Sequence, residues 1–273
     1  CGVVSGCNLM KQRGEHGLRV TFLGTGTSQG VPRLGCECAV CQSEDSRDKR
    51  TRCSVYIQTP EKDWVIDTGP DFRTQCLREK VKKVEAAVYT HGHTDHVMGF
   101  DDLRPFAQRD ALFPIYGSAQ TLTMLANAFV FAFRPEVKFP GYLYPEANEV
   151  TGPFWIGETE LEPMRLPHGS VTSFGYLLRR NGEPLFAYLT DCQSVPEEVV
   201  EAVSGVRHLV LDALREKPHP THMNVEQALV VAEKVGAGAT WLTHLCHDLS
   251  HAALEAKLPV GVRIAFDGLC LDI

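Results

Sequence analysis

No apolar stretch in this sequence approaches the ~20 residues that a bilayer-spanning helix requires, so no membrane span is expected. Basic charge is scarce: 27 Lys and Arg stand against 34 Asp and Glu, a net charge of -7. Proteins that hold nucleic acid neutralise its phosphates with clustered cations, so nucleic acid is not an expected partner. There is no internal repeat, no low-complexity tract, and no composition shift dividing the 273 residues into two units. The Gly-rich stretch Gly24-Thr25-Gly26-Thr27-Ser28 lacks the length and the lysine of a phosphate-binding loop. One basic cluster, Arg47-Asp48-Lys49-Arg50-Thr51-Arg52, is read as a solvated turn, because charge runs usually face water. Residues 1–17 show neither periodicity nor an apolar segment ahead of a cleavage site. They are set apart as an unstructured tail or an artificial remnant before an internal start at Met10, and one domain is expected over 18–273.

What is present is ordinary globular composition with a concentration of metal-ligating residues. Three of the ten cysteines fall in Cys36-Glu37-Cys38-Ala39-Val40-Cys41, which is poor disulfide geometry and good metal geometry. With no secretion signal evident, this usage points to a reducing cytoplasm. Strand patterns lie at 18–23, 54–58, 64–67, 85–90, 159–164, 174–179, 185–190, 208–211, 240–243 and 263–266. Helical patterns lie at 72–79, 119–132, 197–202, 225–235 and 250–258. Together they predict an α/β layered domain, with helices covering a sheet sandwich. The segment from Phe133 to Pro153, rich in Pro, Gly and aromatics, is read as a cover for a site mouth or as a plain connection.

A strand pattern, Ala86-Ala87-Val88-Tyr89-Thr90, runs directly into His91-Gly92-His93-Thr94-Asp95-His96. In extended backbone His91 and His93 point to one side, and Asp95 and His96 begin a helix. Three imidazoles and a carboxylate in six residues crowd a single tetrahedral ion, but can serve two neighbouring ions. Further metal-capable residues close other strand patterns: His168 in Leu166-Pro167-His168-Gly169, Asp191 in Leu189-Thr190-Asp191, and His244 in Leu242-Thr243-His244. Asp67 ends Val65-Ile66-Asp67 in the same way, and is read as an acceptor orienting an imidazole rather than as a ligand.

With these residues in this order, the sequence resembles metallo-β-lactamase-fold hydrolases from about Leu18 to the C-terminus. The resemblance implies an αββα sandwich with a two-metal site at one edge. It implies that His91, His93 and His168 hold one metal, that Asp95, His96 and His244 hold the second, and that Asp191 bridges them.

Cys36, Cys38 and Cys41 supply three thiolates, and a closed zinc site wants a fourth ligand. His247, in Thr243-His244-Leu245-Cys246-His247, is the first candidate, with Cys246 as its competitor. The cysteine cluster with this histidine pair resembles the PhnP-like phosphodiesterase branch, related to tRNase Z. Gly24-Thr25-Gly26, Gly30-Val31-Pro32 and Asp267-Gly268 resemble it too. The resemblance implies a structural Zn2+ beside two catalytic divalent metals, Mn2+, Zn2+ or Fe. It also places His222 at the branch's catalytic histidine, with His219 as a nearby alternative. The expected activity is hydrolysis of a small or cyclic phosphodiester, such as a ribosyl cyclic phosphate or cyclic nucleotide, by a metal-bound hydroxide, with Asp95 and His222 catalytic. The alternatives are a tRNA 3′-processing endonuclease and a non-hydrolytic cofactor-biosynthesis protein of the same fold. A homodimer is expected from base rates and resemblance.

Overall fold

The computed structural model describes residues 14–108, 111–134 and 141–273. In chain order the elements are β1 (Arg19–Gly24), β2 (Ser54–Gln58), β3 (Asp63–Ile66), α1 (Phe72–Arg78), β4 (Ala86–Val88), α2 (Thr94–Val97), β5 (Phe113–Gly117), α3 (Ala119–Ala128) and α4 (Val130–Phe133). There follow β6 (Pro145–Glu149), β7 (Phe154–Ile156), β8 (Thr159–His168), β9 (Val171–Arg180), β10 (Glu183–Leu189), α5 (Glu197–Ala202), β11 (His208–Asp212), α6 (Val225–Val235), β12 (Ala239–Thr243), α7 (His251–Glu255), β13 (Val262–Ile264) and β14 (Cys270–Asp272). The strands form two seven-stranded sheets, ordered β14-β1-β2-β3-β4-β5-β6 and β13-β12-β11-β10-β9-β8-β7.

Period-two alternation sorts each strand's side chains between layers. Trp64 and Ile66 of β3 join Tyr176, Leu178 and Tyr188 in the core between the sheets. Val65, between them, faces the opposite way and packs with Phe72, Val97, Phe100 and Leu125 under the first helical layer. Leu209 and Leu211 of β11 meet Val199, Ala228, Val235 and Leu254 under the second. The result is four layers, helices outside and sheets inside: the αββα arrangement. Two hydrogen bonds join the sheets beside the histidine run, from Phe174 N–H to the Thr90 carbonyl and from Tyr176 O–H to the Tyr89 carbonyl, both 2.8 Å.

Strand direction decides where the chemistry gathers. β3, β4 and β5 run parallel, as do β10, β11, β12 and β13, and β8 shares their direction through the antiparallel β9. Asp67, His91, His168, Asp191, Asp212 and His244 therefore all emerge at the carboxyl edge of their sheets, where open α/β sheets place ligands.

Four strands escape the sequence patterns: β5, β6, β7 and β14. β6, β7 and β14 are sheet edges, where a short strand such as Pro-Glu-Ala-Asn-Glu with a leading proline is tolerated. Part of the proposed cover over Phe133–Pro153 is thus an edge strand, while its residues 135–140 lie outside the described residues. The helix expected over 119–132 breaks at Phe129 (φ -117°, ψ 48°) into α3 and α4. The basic cluster is not a solvated turn. Asp48 and Arg50 are 2% exposed, and the Arg50 guanidinium donates to Thr25 Oγ1, to the Ala265 carbonyl and toward His251 Nδ1. Inside the charge run Asp48 and Arg50 turn inward while Lys49 between them is exposed, which a reading of net charge misses. Of the proposed tail, residues 1–13 lie outside the described residues. Residues 14–17 form a turn, and His16 N–H donates to the Ile273 carbonyl. No helix among the described residues is long and apolar enough to cross a membrane.

Candidate metal centre

Three residues at this edge hold left-handed backbone without being glycine: Asp67 (φ 65°), Asp191 (φ 50°) and His244 (φ 59°). Such positions cost of order 1–3 kcal/mol each and persist where surrounding structure over-determines them, typically at functional sites. Each directly or nearly follows a strand, so the reversal turns a side chain that would lie along the sheet toward the shared edge. Gly69 serves the same loop differently. A Cβ there would sit 2.2 Å from the Asp95 carbonyl, so only glycine lets the loop after β3 pass this close to α2.

Two ligand-atom groups lie side by side. In the first, His91 Nε2 is 2.9 Å and His168 Nε2 3.3 Å from His93 Nδ1. Nitrogens converge here without a carboxylate between them. Burial, reinforced by the neighbouring imidazoles, holds His91 well below the usual histidine range, so it is neutral and its lone pair is available. The remaining nitrogens are occupied from behind: His91 Nδ1 faces Thr90 Oγ1 at 3.0 Å, and His168 Nδ1 donates to the Thr221 carbonyl at 3.0 Å. In the second group, Asp191 Oδ2 is 3.3 Å from His96 Nε2 and 3.2 Å from His244 Nε2, and Asp95 Oδ2 is 3.2 Å from His96 Nε2. Burial alone would raise Asp191, but the His244 and His96 imidazoles beside it hold its carboxyl well below the usual range. His96 Nε2 and His244 Nε2 are buried without a hydrogen-bond partner, as expected of nitrogens awaiting a cation. Ligand atoms of Asp95, His96, Asp191 and His244 lie within 4.8 Å of one another, as do those of His91, His93 and His168. Asp191 also lies within that span of His168, so it reaches across both groups. The donors fit two divalent ions.

Asp67 stands behind them, fully buried. Its Oδ1 accepts from Thr90 N–H at 2.8 Å, and its Oδ2 accepts from Thr90 Oγ1–H and faces His96 Nδ1, both at 2.7 Å. With both oxygens engaged it orients an imidazole and has none left to offer an ion.

His222 faces the same space. Its ring centroid is 4.8 Å from His168 and 4.6 Å from His244, stacked on the latter at 14°. His222 Nδ1 lies 2.7 Å from Asp212 Oδ2, and Asp212 is 0% exposed. Sequence reasoning passed over Asp212. The available signal was its position as the last residue of β11, at the same edge as Asp191 and His244. His219, the alternative, is 5.2 Å from His222 by ring centroid, and its Nδ1 accepts from Thr221, so it stands one layer out.

The cysteine group is also assembled. Cys36 Sγ and Cys38 Sγ lie 3.4 and 3.3 Å from His247 Nδ1, and Cys41 completes a four-residue cluster within 4.8 Å. Cys246, the competitor, is outside it, its sulfur accepting from Asp248 N–H. The hydrogen bond to His247 and the Cys41 N–H bring the Cys38 thiol down to about 6, so it is a thiolate at neutral pH and suited to zinc. All eight described cysteines are free of disulfides. Leu245 ties the two sites together: its N–H donates to the Thr25 carbonyl and its carbonyl accepts from Thr27 N–H. The loop after β1, which leads to the cysteines, is thereby stitched to the residue next to His244.

The beta-lactamase superfamily domain matches residues 63–245. A Porphyromonas gingivalis protein named an octanoyltransferase is 37% identical over 92% of this chain, and the chain spans 51% of that protein's length. The solved structure of a diphosphatase from the PhnP family superposes with a TM-score of 0.86 at 40% identity, covering 93% of this chain and 96% of that one. Human short-form tRNase Z shares the fold, with a TM-score of 0.69 at 19% identity over 93% of this chain and 99% of its own. With the β-lactamase superfamily domain spanning both ligand groups and a 40% identical PhnP-family relative matched almost end to end, this chain belongs to the metallo-β-lactamase-fold hydrolases, in their PhnP branch.

Proposed function

We propose that this protein is a phosphodiesterase acting on small diesters of phosphoric acid, cyclic phosphates and P–O–P-linked diesters included. The observation that carries this is the placement of His222, backed by a buried carboxylate, against two adjoining groups of metal-binding atoms. The diphosphatase activity named for the 40% identical relative favours the same class, since each phosphorus of a diphosphate diester bears two substituents.

Divalent ions held by His91/His93/His168 and by Asp95/His96/His244, with Asp191 reaching both, would supply Lewis acidity toward the phosphoryl oxygens. This His and carboxylate set suits Mn2+, Zn2+ or Fe. The protein's own residues do the rest. Asp212 accepts from His222 Nδ1–H and so holds Nε2 toward the departing oxygen, where the imidazolium form would deliver a proton or hold a nonbridging oxygen. Asp67 and the Thr221 carbonyl keep His96 and His168 from rotating as substrate enters. Cys36, Cys38, Cys41 and His247 would hold a structural zinc that fixes the loop carrying His244.

The test is a panel of bis(p-nitrophenyl) phosphate, ribosyl cyclic phosphates, cyclic nucleotides, a dinucleoside diphosphate, precursor tRNA, a β-lactam and a thioester. Turnover of small diesters, abolished in Asp95→Ala and strongly reduced in His222→Ala, is expected. Turnover confined to precursor tRNA, β-lactam or thioester would overturn the reading.

A further inference from the structure

The loop from Arg215 to Thr221, which leads into His222, is pinned along its length. The Arg215 guanidinium donates to the carbonyls of Lys217 and Pro218, at 3.1 and 2.8 Å. Asn224 Nδ2 donates to the Glu216 carbonyl at 3.1 Å, and the Thr221 carbonyl accepts from His168. In the middle stands Pro218-His219-Pro220, where a proline on each side stiffens the backbone. His219 is therefore held in place, half-buried, beside a proton donor.

Its hydrogen bonds decide which ring nitrogen carries the proton. The Thr221 N–H can only donate, and it points to His219 Nδ1 at 3.3 Å; the Thr221 hydroxyl lies 3.2 Å from the same nitrogen. Nδ1 is thus the acceptor, and a neutral imidazole whose Nδ1 accepts bears its hydrogen on Nε2. Burial, helped by His222 and Arg215 nearby, keeps His219 below the usual histidine range, so the neutral form prevails at pH 7. Its Nε2–H meets no acceptor among the described residues. The ring lies 5.2 Å from His222, which itself lies against His168 and His244. This free donor therefore stands one ring farther from the metal-binding atoms than His222.

We propose that His219 forms a subsite for the departing half of the substrate, its Nε2–H donating to a nonbridging oxygen on the second phosphoryl group of a P–O–P-linked diester. This rests on the phosphodiesterase reading, in which His222 serves the departing oxygen. Whatever that oxygen carries extends away from the metal-binding atoms and past His222, which is where His219 stands. In a diphosphate diester the next atom is a second phosphorus. Its two nonbridging oxygens share a negative charge and are strong acceptors for a fixed N–H. A p-nitrophenolate leaving group presents only carbon there. His219 thereby selects diphosphate diesters over diesters with an aryl leaving group.

The test uses the full chain with its metals and compares a dinucleoside diphosphate with bis(p-nitrophenyl) phosphate. His219→Asn keeps an acceptor where Nδ1 stood, and so the hold on Thr221, but its amide is too short to place a donor where Nε2 stood. His219→Gln reaches that position with an amide N–H. The readout is the ratio of kcat/KM for the dinucleoside diphosphate to that for bis(p-nitrophenyl) phosphate. It should fall about 30-fold in His219→Asn, the scale of one hydrogen bond to a charged group, and largely recover in His219→Gln. An unchanged ratio in His219→Asn, or equal losses on both substrates as a loosened loop would give, would overturn the proposal. So would a wild type that cleaves bis(p-nitrophenyl) phosphate alone. Failure of the wild type to cleave either diester would instead overturn the phosphodiesterase reading beneath it.

Discussion

Asp212 Oδ2 lies 2.7 Å from His222 Nδ1, and both atoms belong to groups that enclose one space with the metal-binding nitrogens. The same carboxylate's Oδ1 is 3.8 Å from His244 Nδ1, so one buried side chain stands behind a proton donor and a candidate ligand together. Replacing it should therefore damage turnover more than binding. We expect Asp212→Asn to lower kcat about 100-fold with KM little changed, the scale of a positioned general acid. Steady-state kinetics on diesters with alkoxide and with p-nitrophenolate leaving groups check this. The loss should be smaller for p-nitrophenolate, which departs without needing a proton.

Metal content should distinguish the two kinds of site. We expect about three ions per chain, two removed by chelator and one retained, because closed zinc sites release slowly. His247→Ala should lose the retained ion and lower Tm, measured by elemental analysis and calorimetry. A retained ion in His247→Ala would exclude His247 as the fourth ligand.

Asp95→Ala should leave the fold intact and abolish activity. Its carboxylate offers a donor to the Asp191 group but packs no core, so circular dichroism should be unchanged while one chelatable ion is lost.

Much of this site is legible in the sequence because its chemistry is local. The run His91 to His96 holds four donors that no solvated turn needs, and the strand before it orients two of them. His168, Asp191 and His244 are legible only as strand ends, a weaker signal made useful by its repetition. Asp212 ends a strand too, but as an ordinary acid it is told apart from other carboxylates only by the sheet order that brings β11 between β10 and β12. The four-layer class follows from alternating strand and helix patterns, whereas β6, β7 and β14 do not, because edge strands bury little and so show little pattern. The burial of Arg50 was illegible for the converse reason: its neighbours in sequence are charged, and its partners Thr25, Ala265 and His251 are distant.

A pH dependence follows from a pair far from the metals. The hydrogen bonds from Arg180, itself 6% exposed, hold the Glu61 carboxyl down at about 2 against the usual 4.5. A depressed carboxyl contributes stability above its unfolded value, and that contribution is lost as pH falls from about 4.5 toward 2. Because solvent screens a partly exposed partner, we expect about 1 kcal/mol. Urea unfolding between pH 7 and 3 should show this slope in the wild type and a shallower one in Glu61→Gln.

The seam at which Phe174 and Tyr176 bond to the carbonyls of Thr90 and Tyr89 has a consequence for how such a protein can diverge. It fastens the two sheets at the rim, so the mouth cannot widen by letting them slide apart. Changes of appetite for one substrate or another must then be written in the loops around the rim, where insertions leave the fastened edge undisturbed. The reactive machinery and its selectivity are thereby free to vary on separate parts of the chain.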